Sequence, residues 1–163
     1  MENRFYSFEH EPENWNVQNG ASQKKKDHFL PGDFENIRIL LVEDNKVNQM
    51  LSKKILTNKG FKVDTADNGL DALEKFDLNK YDLILLDLHM PVMSGFEFID
   101  AVRRNRSKPE SQTAIIALTA YASYQEKEKA LDLGVNHYLN KPCCQHELME
   151  AIVHQLNEHK LLK

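Results

Sequence analysis

Asp87 closes an apolar run, Leu83 to Leu86, just before Pro91 and Gly95 break the pattern. A hydrophobic strand that ends on a carboxylate delivers it to a crevice, because ligands in open α/β sheets bind beyond the carboxyl ends of the strands. Two other apolar runs end in the same way. IRILLVEDN finishes on Glu43 and Asp44, and HYLNKP finishes on Lys141. Thr119 ends a fourth run, IIALTAY. Three acids packed together repel one another, and a hard divalent ion with oxygen ligands, such as Mg²⁺, is their natural partner. A carboxylate can also act as a nucleophile toward phosphorus and form an acyl phosphate. Lys141 would offset the charge on such a group and Thr119 would donate a hydroxyl to it, which is the positioning and neutralisation that phosphoryl transfer demands. Taken singly, each residue has a plainer reading. Asp44 or Asn45 could cap a following helix, Thr119 could cap another, and Lys141 could be a surface charge. Their joint placement at successive strand ends favours the chemical reading.

The elements that would position these groups alternate strictly from Ile37 onward. Strands are expected at 37–43, 61–66, 82–87, 114–118 and 135–140. Helices are expected near 46–58, 69–78, 95–106, 122–133 and 144–160. The first helix carries Val47, Met50, Leu51, Ile55 and Leu56 at helical spacing; the third carries Phe96, Phe98, Ile99 and Val102; the last carries Leu148, Ile152, Val153 and Leu156. Gly60, Gly69 and Gly134 mark element boundaries. Five β-α units imply a parallel sheet with helices on both faces, and the unalternating runs ILLV and LILL fit strands buried on both sides. The fold class is therefore α/β, a doubly wound five-stranded parallel sheet, with 2-1-3-4-5, the flavodoxin-like order, as the expected arrangement.

Residues 1–36 differ. They are rich in Glu, Asn, Gln and Lys without sustained period, and read as a disordered polar arm or linker preceding a domain at 37–160. Lys24, Lys25 and Lys26 read as a solvated part of that arm. The 163-residue chain has 41% hydrophobic and 28% charged residues and a net charge of −4. Nothing there supports nucleic-acid binding, no apolar run approaches the ~20 residues of a membrane span, and the amino terminus lacks a secretory pattern. The adjacent Cys143 and Cys144 fit neither a disulfide nor a zinc spacing, so a reducing, cytoplasmic setting is expected.

Residues 37–158 resemble the response-regulator receiver domain of two-component signalling. The resemblance rests on Glu43-Asp44, Asp87 within DLHMPVMSG, Thr119-Ala120, Lys141-Pro142 and the separations between them. VEDNKVNQ and DLHMPVMSGFEFI look most like receivers attached to hybrid histidine kinases. The resemblance implies Asp87 as phosphoacceptor, Mg²⁺ as cofactor held by Asp44, Asp87 and the backbone carbonyl of His89, and Glu43 reaching it through water. It implies Thr119 and Lys141 on the phosphoryl group, a cis peptide at Lys141-Pro142, and Thr119 with Tyr138 as a switch acting on the face of helix four, strand five and helix five. His89 and Tyr121 hold the positions that tune phosphate lifetime. The implied partners are a histidine kinase or histidine phosphotransfer protein upstream and an unidentified protein target downstream. Such a protein is not an enzyme but a switch that catalyses only its own phosphorylation and dephosphorylation. The chain closes soon after the fifth helix, which leads to the expectation of a stand-alone receiver or one excised from a hybrid kinase. Two rivals stand beside this reading: a Mg²⁺-dependent phosphohydrolase of the haloacid dehalogenase type, and a pseudo-receiver that only binds partners. The first would want its general acid where His89 stands, and the complete acid, threonine and lysine set argues against the second.

Overall fold

The computed structural model describes residues 34–104, 109–120 and 123–161. The five apolar runs form β1 (Arg38–Val42), β2 (Lys62–Ala66), β3 (Leu83–Asp87), β4 (Ala114–Thr119) and β5 (His137–Asn140). All neighbouring pairs are parallel, in the order β2-β1-β3-β4-β5. Between them run α1 (Lys46–Asn58), α2 (Gly69–Leu78), α3 (Gly95–Arg103), α4 (Tyr124–Leu133) and the closing α5 (Gln145–Leu161), with a short 3-10 turn at Pro109–Gln112. The doubly wound fold and its strand order are those expected.

The sheet is buried on both faces because its central strands point apolar side chains alternately to each side. Ile39, Leu41, Leu83, Leu85, Ile116 and Leu118 meet Leu56 of α1 and Leu148, Ile152 and Leu156 of α5. Leu40, Val42, Ile84, Leu86, Ile115 and Ala117 meet Ala72 and Phe76 of α2, Phe98, Ile99 and Val102 of α3, and Ala130 of α4. Each Leu, Ile, Val or Phe among them contributes about 1.5–3 kcal/mol when fully buried. Phe34 stacks on Phe61 at 4.4 Å between ring centroids and is itself buried. Packing thus starts slightly ahead of Ile37. The arm reading of residues 1–33, including Lys24, Lys25 and Lys26, lies outside the described residues.

One helix departs from its pattern. The first half of the α1 stripe faces solvent: Val47, Met50 and Leu51 are 74, 72 and 60% exposed, while Leu56 is fully buried. Near its start the helix is held to the sheet by a polar residue instead. The buried Gln49 amide donates to the Glu43 carbonyl at 2.9 Å and to Asp67 Oδ1 at 2.9 Å.

Candidate functional site

Strand register gathers the predicted groups. Val42 pairs with Leu86, Asp87 with Leu118, and Thr119 with Asn140. Glu43, Asp87, Thr119 and Lys141 therefore end adjacent strands at one edge of the sheet. Carboxylate oxygens of Glu43, Asp44 and Asp87 lie within 4.8 Å of one another. Glu43 and Asp87 are buried, at 2 and 9% exposure, and Asp44 is exposed.

Lys141 Nζ donates to Asp87 Oδ2 at 2.6 Å and also to Glu43 Oε2. Burial alone pulls the Lys141 ammonium toward its neutral form, but hydrogen bonds and attraction from Asp87 and Glu43 outweigh it and lift its pKa above the usual lysine value. The surface-charge reading of Lys141 is thereby set aside. The Lys141–Pro142 peptide is cis, as expected.

The capping alternatives resolve in the same direction. Asn45 caps α1, its Oδ1 accepting from the Val47 and Asn48 amides at 3.0 and 3.2 Å, so the Asp44 carboxylate is not consumed as a cap. Ser123 caps α4 in a reciprocal capping box with Glu126, so Thr119 is not a cap either. Thr119 is fully buried, and its Oγ1 is the buried side-chain polar atom left without a hydrogen-bond partner among the described residues. A buried hydroxyl of this kind costs about 1–3 kcal/mol in lost hydration, and it lies one residue beyond the partner of Asp87.

The loop after β3 is shaped tightly around Asp87. The His89 amide donates to Asp87 Oδ1 at 3.0 Å, and the Gly95 amide to the Leu88 carbonyl at 3.1 Å. A Cβ on Gly95 would come within 2.4 Å of the Asp87 carbonyl oxygen, so glycine is required by close approach. Val92 has φ of 70°, and the Met93 amide donates to the Pro91 carbonyl across it. This is the rare, strained form of three-residue turn, occupied by a β-branched residue. Such strain clusters at ligand sites.

His89 itself is exposed, and its ring reaches Glu126 of α4. Tyr138 is half-buried on β5, with Lys127 Nζ 4.7 Å from its ring centre. Tyr121 lies outside the described residues. Two supporting residues escape a reading of the sequence. Gln49 and Asn48 both reach Glu43, the latter with Nδ2 3.1 Å from Oε1. Their only trace in the sequence is a polar pair set at the start of an otherwise apolar-striped helix. The donor set suits a hard divalent cation: all oxygen, clustered, and beside a polar edge open on the Asp44 side.

Fold and site together define a doubly wound α/β domain that carries a buried acid–lysine cluster at the carboxyl edge of its sheet. A family model for the response regulator receiver domain matches residues 39–153. The chain belongs to that family and is a receiver domain of two-component phosphorelay signalling. It is 38% identical over 131 residues to hybrid signal transduction histidine kinase B of Dictyostelium discoideum, covering 75% of this chain but 6% of that protein. It is 40% identical over 109 residues to the sensor protein EvgS of Escherichia coli K12, covering 66% of this chain and 9% of that one. The chain thus spans a small fraction of these curated relatives. Among solved structures, the receiver domain of a Pseudomonas aeruginosa PAO1 sensor histidine kinase, with magnesium ion coordinated in its active site cleft, superposes with a TM-score of 0.68. It is 34% identical, covering 74% of this chain and 98% of that one. The Vibrio cholerae chemotaxis protein CheY4 gives a TM-score of 0.68 at 31% identity, covering 72% and 97%.

Proposed function

We propose that Asp87 accepts a phosphoryl group from a phosphohistidine and that the resulting acyl phosphate switches a protein-binding face. The observation that carries this reading is the Asp87 carboxylate, buried at the end of β3, bonded to Lys141 and clustered with Glu43 and Asp44. An Asp87 oxygen attacks phosphorus, the phosphorus–nitrogen bond breaks, and the imidazole leaves with its electron pair and takes a proton. Lys141 follows the charge onto the phosphoryl oxygens, and Thr119 Oγ1, with no partner among the described residues, donates to one of them. Asp44, Asp87 and the His89 carbonyl would hold Mg²⁺, with Glu43 reaching it through water. When bound, that ion supplies neutralisation of the charge brought in by the phosphoryl oxygens.

Movement of Thr119 toward the phosphoryl group leaves room for Tyr138 to turn inward, changing the surface of α4, β5 and α5 that a downstream protein reads. His89 and Tyr121 stand where ring bulk limits water. The protein acts on itself rather than on a pool of substrate, so it is a switch and not an enzyme. The setting is cytoplasmic, and among the described residues no helix is long and apolar enough to cross a membrane. The signalling domain is assigned to 37–160 together with Phe34, which packs on its core, and the residues before Phe34 as arm or linker.

The phosphodonor, a histidine kinase or histidine phosphotransfer protein, docks on α1. Its imidazole must reach bonding distance of Asp87, so its surface must cover the rim of the pocket. Val47, Met50 and Leu51 form an exposed apolar strip on the helix that begins two residues after Asp44. An apolar strip of this kind beside a polar pocket fits a partner that presents an accessible histidine flanked by apolar side chains.

Incubation with acetyl phosphate and Mg²⁺ should add one phosphoryl group by intact-mass spectrometry, and Asp87→Asn should abolish it. Equal labelling of the variant would overturn the reading. Catalytic turnover of small phosphate monoesters would favour the phosphohydrolase rival instead.

A further inference from the structure

The loop that follows Asp87 is tied to α4 through one carboxylate. Glu126 Oε1 lies 2.8 Å from His89 Nε2, while Glu126 Oε2 accepts from the Ser123 amide at 2.9 Å and the Ser123 hydroxyl at 3.1 Å. Each oxygen is thus committed to a different loop. Ser123 belongs to the connection that leaves Thr119, and the His89 amide is bonded to Asp87 Oδ1. The far side of the His89 ring is also seated, edge-on to Phe96 of α3 at 6.2 Å between centroids, and Lys129 of α4 covers Phe96 at 4.5 Å. The imidazole is therefore held between α3 and α4 rather than left free in solvent, although it is half exposed.

We propose that Glu126 is a positioning residue for the chemistry at Asp87: it pins the His89 ring at the mouth of the pocket and so slows the attack of water on the acyl phosphate. This rests on the phosphoacceptor reading above. An exposed His–Glu pair adds little to stability, but holding one ring in one place changes which trajectories are open to a water molecule. Hydrolysis adds water across the phosphorus–oxygen bond, returning the Asp87 carboxylate and releasing inorganic phosphate. The pinned ring takes no proton in that step and acts by occupying space. Without Glu126 the ring keeps, among the described residues, its contact with Phe96 and is free to swing out.

The test follows decay of the phosphorylated full chain after acetyl phosphate is removed, with Mg²⁺ held constant, in the wild type, Glu126→Ala, Glu126→Gln, His89→Ala and the double alanine variant. Glu126→Ala should shorten the half-life roughly three- to tenfold, a barrier change of at most ~1.4 kcal/mol. Glu126→Gln, whose carboxamide can still bridge Ser123 and His89, should restore most of it. In the His89→Ala background, Glu126→Ala should have no further effect. Loss of the α4 capping box will lower the melting temperature of Glu126→Ala in both backgrounds, so a purely structural effect would shorten the half-life in both. An unchanged or longer half-life for Glu126→Ala, or effects that add in the double variant, would overturn the proposal. Failure of the wild type to take up phosphate at all would instead overturn the phosphoacceptor reading.

Discussion

Lys141 Nζ sits 2.6 Å from Asp87 Oδ2, joining the end of β5 to the end of β3 across the intervening β4. The same ammonium also bonds Glu43, at the end of β1. One cation therefore neutralises acids from two strands, and it does so with its side chain only 18% exposed. Two carboxylates this close and this buried would otherwise repel each other strongly.

Replacing Lys141 by Met should destabilise the fold by about 1.5–3 kcal/mol at neutral pH, the worth of hydrogen bonds to charged groups, and added Mg²⁺ should recover part of the loss. The pH dependence has a defined sign. The folded pKa of Lys141 is raised above its ordinary value of 10.5, so its contribution is fully present below 10.5 and is lost as pH rises through the higher folded value. Melting temperatures of the two proteins should differ by a constant amount from pH 7 to 9 and converge above 10.5. Convergence already below pH 9 would contradict the assigned ion pairs.

Thr119→Val keeps the shape of the side chain but removes a buried hydroxyl that has no partner among the described residues. The variant should be as stable as the wild type or up to about 3 kcal/mol more stable, because an unmet hydration cost disappears. Its phosphorylation-dependent shift, followed by amide NMR at Tyr138, should vanish. Destabilisation beyond 1 kcal/mol would mean that the hydroxyl is bonded in the unphosphorylated protein. The combination of higher stability and lost response is the trade expected of a residue retained for function.

Met50→Glu and Leu51→Glu alter side chains that are 72 and 60% exposed. Each should shift unfolding by no more than about 0.5 kcal/mol, as surface substitutions do. Labelling by acetyl phosphate should be unaffected, while transfer from a phosphorylated histidine phosphotransfer protein should slow at least tenfold. Equal transfer rates would show that the donor docks elsewhere.

Much of this protein is written locally. The apolar runs, the acids that end them and the glycines between them are sufficient to place five strands, five helices and the chemical groups at the sheet edge. This works because strand and helix periods are short-range and because a parallel sheet buried on both faces admits few polar residues except at its ends. Element ends are less legible. α4 begins at Tyr124 because Ser123 caps it, and α3 ends at Arg103, short of the expected 106.

Asn45 rather than Asp44 caps α1, and Ser123, in a capping box with Glu126, rather than Thr119 caps α4; both are local bonds, and both leave a functional group free. Two features were settled only by packing in three dimensions. The α1 stripe is apolar in sequence yet half of it faces solvent, since Gln49 holds the start of that helix to the sheet through polar contacts. Glu126 meets His89 across 37 residues of chain. Composition and spacing name the groups that can do chemistry. Which of them stay available, and what stands next to them, depends on how helices of fixed width cover a sheet of fixed twist, and that is decided by the whole fold at once.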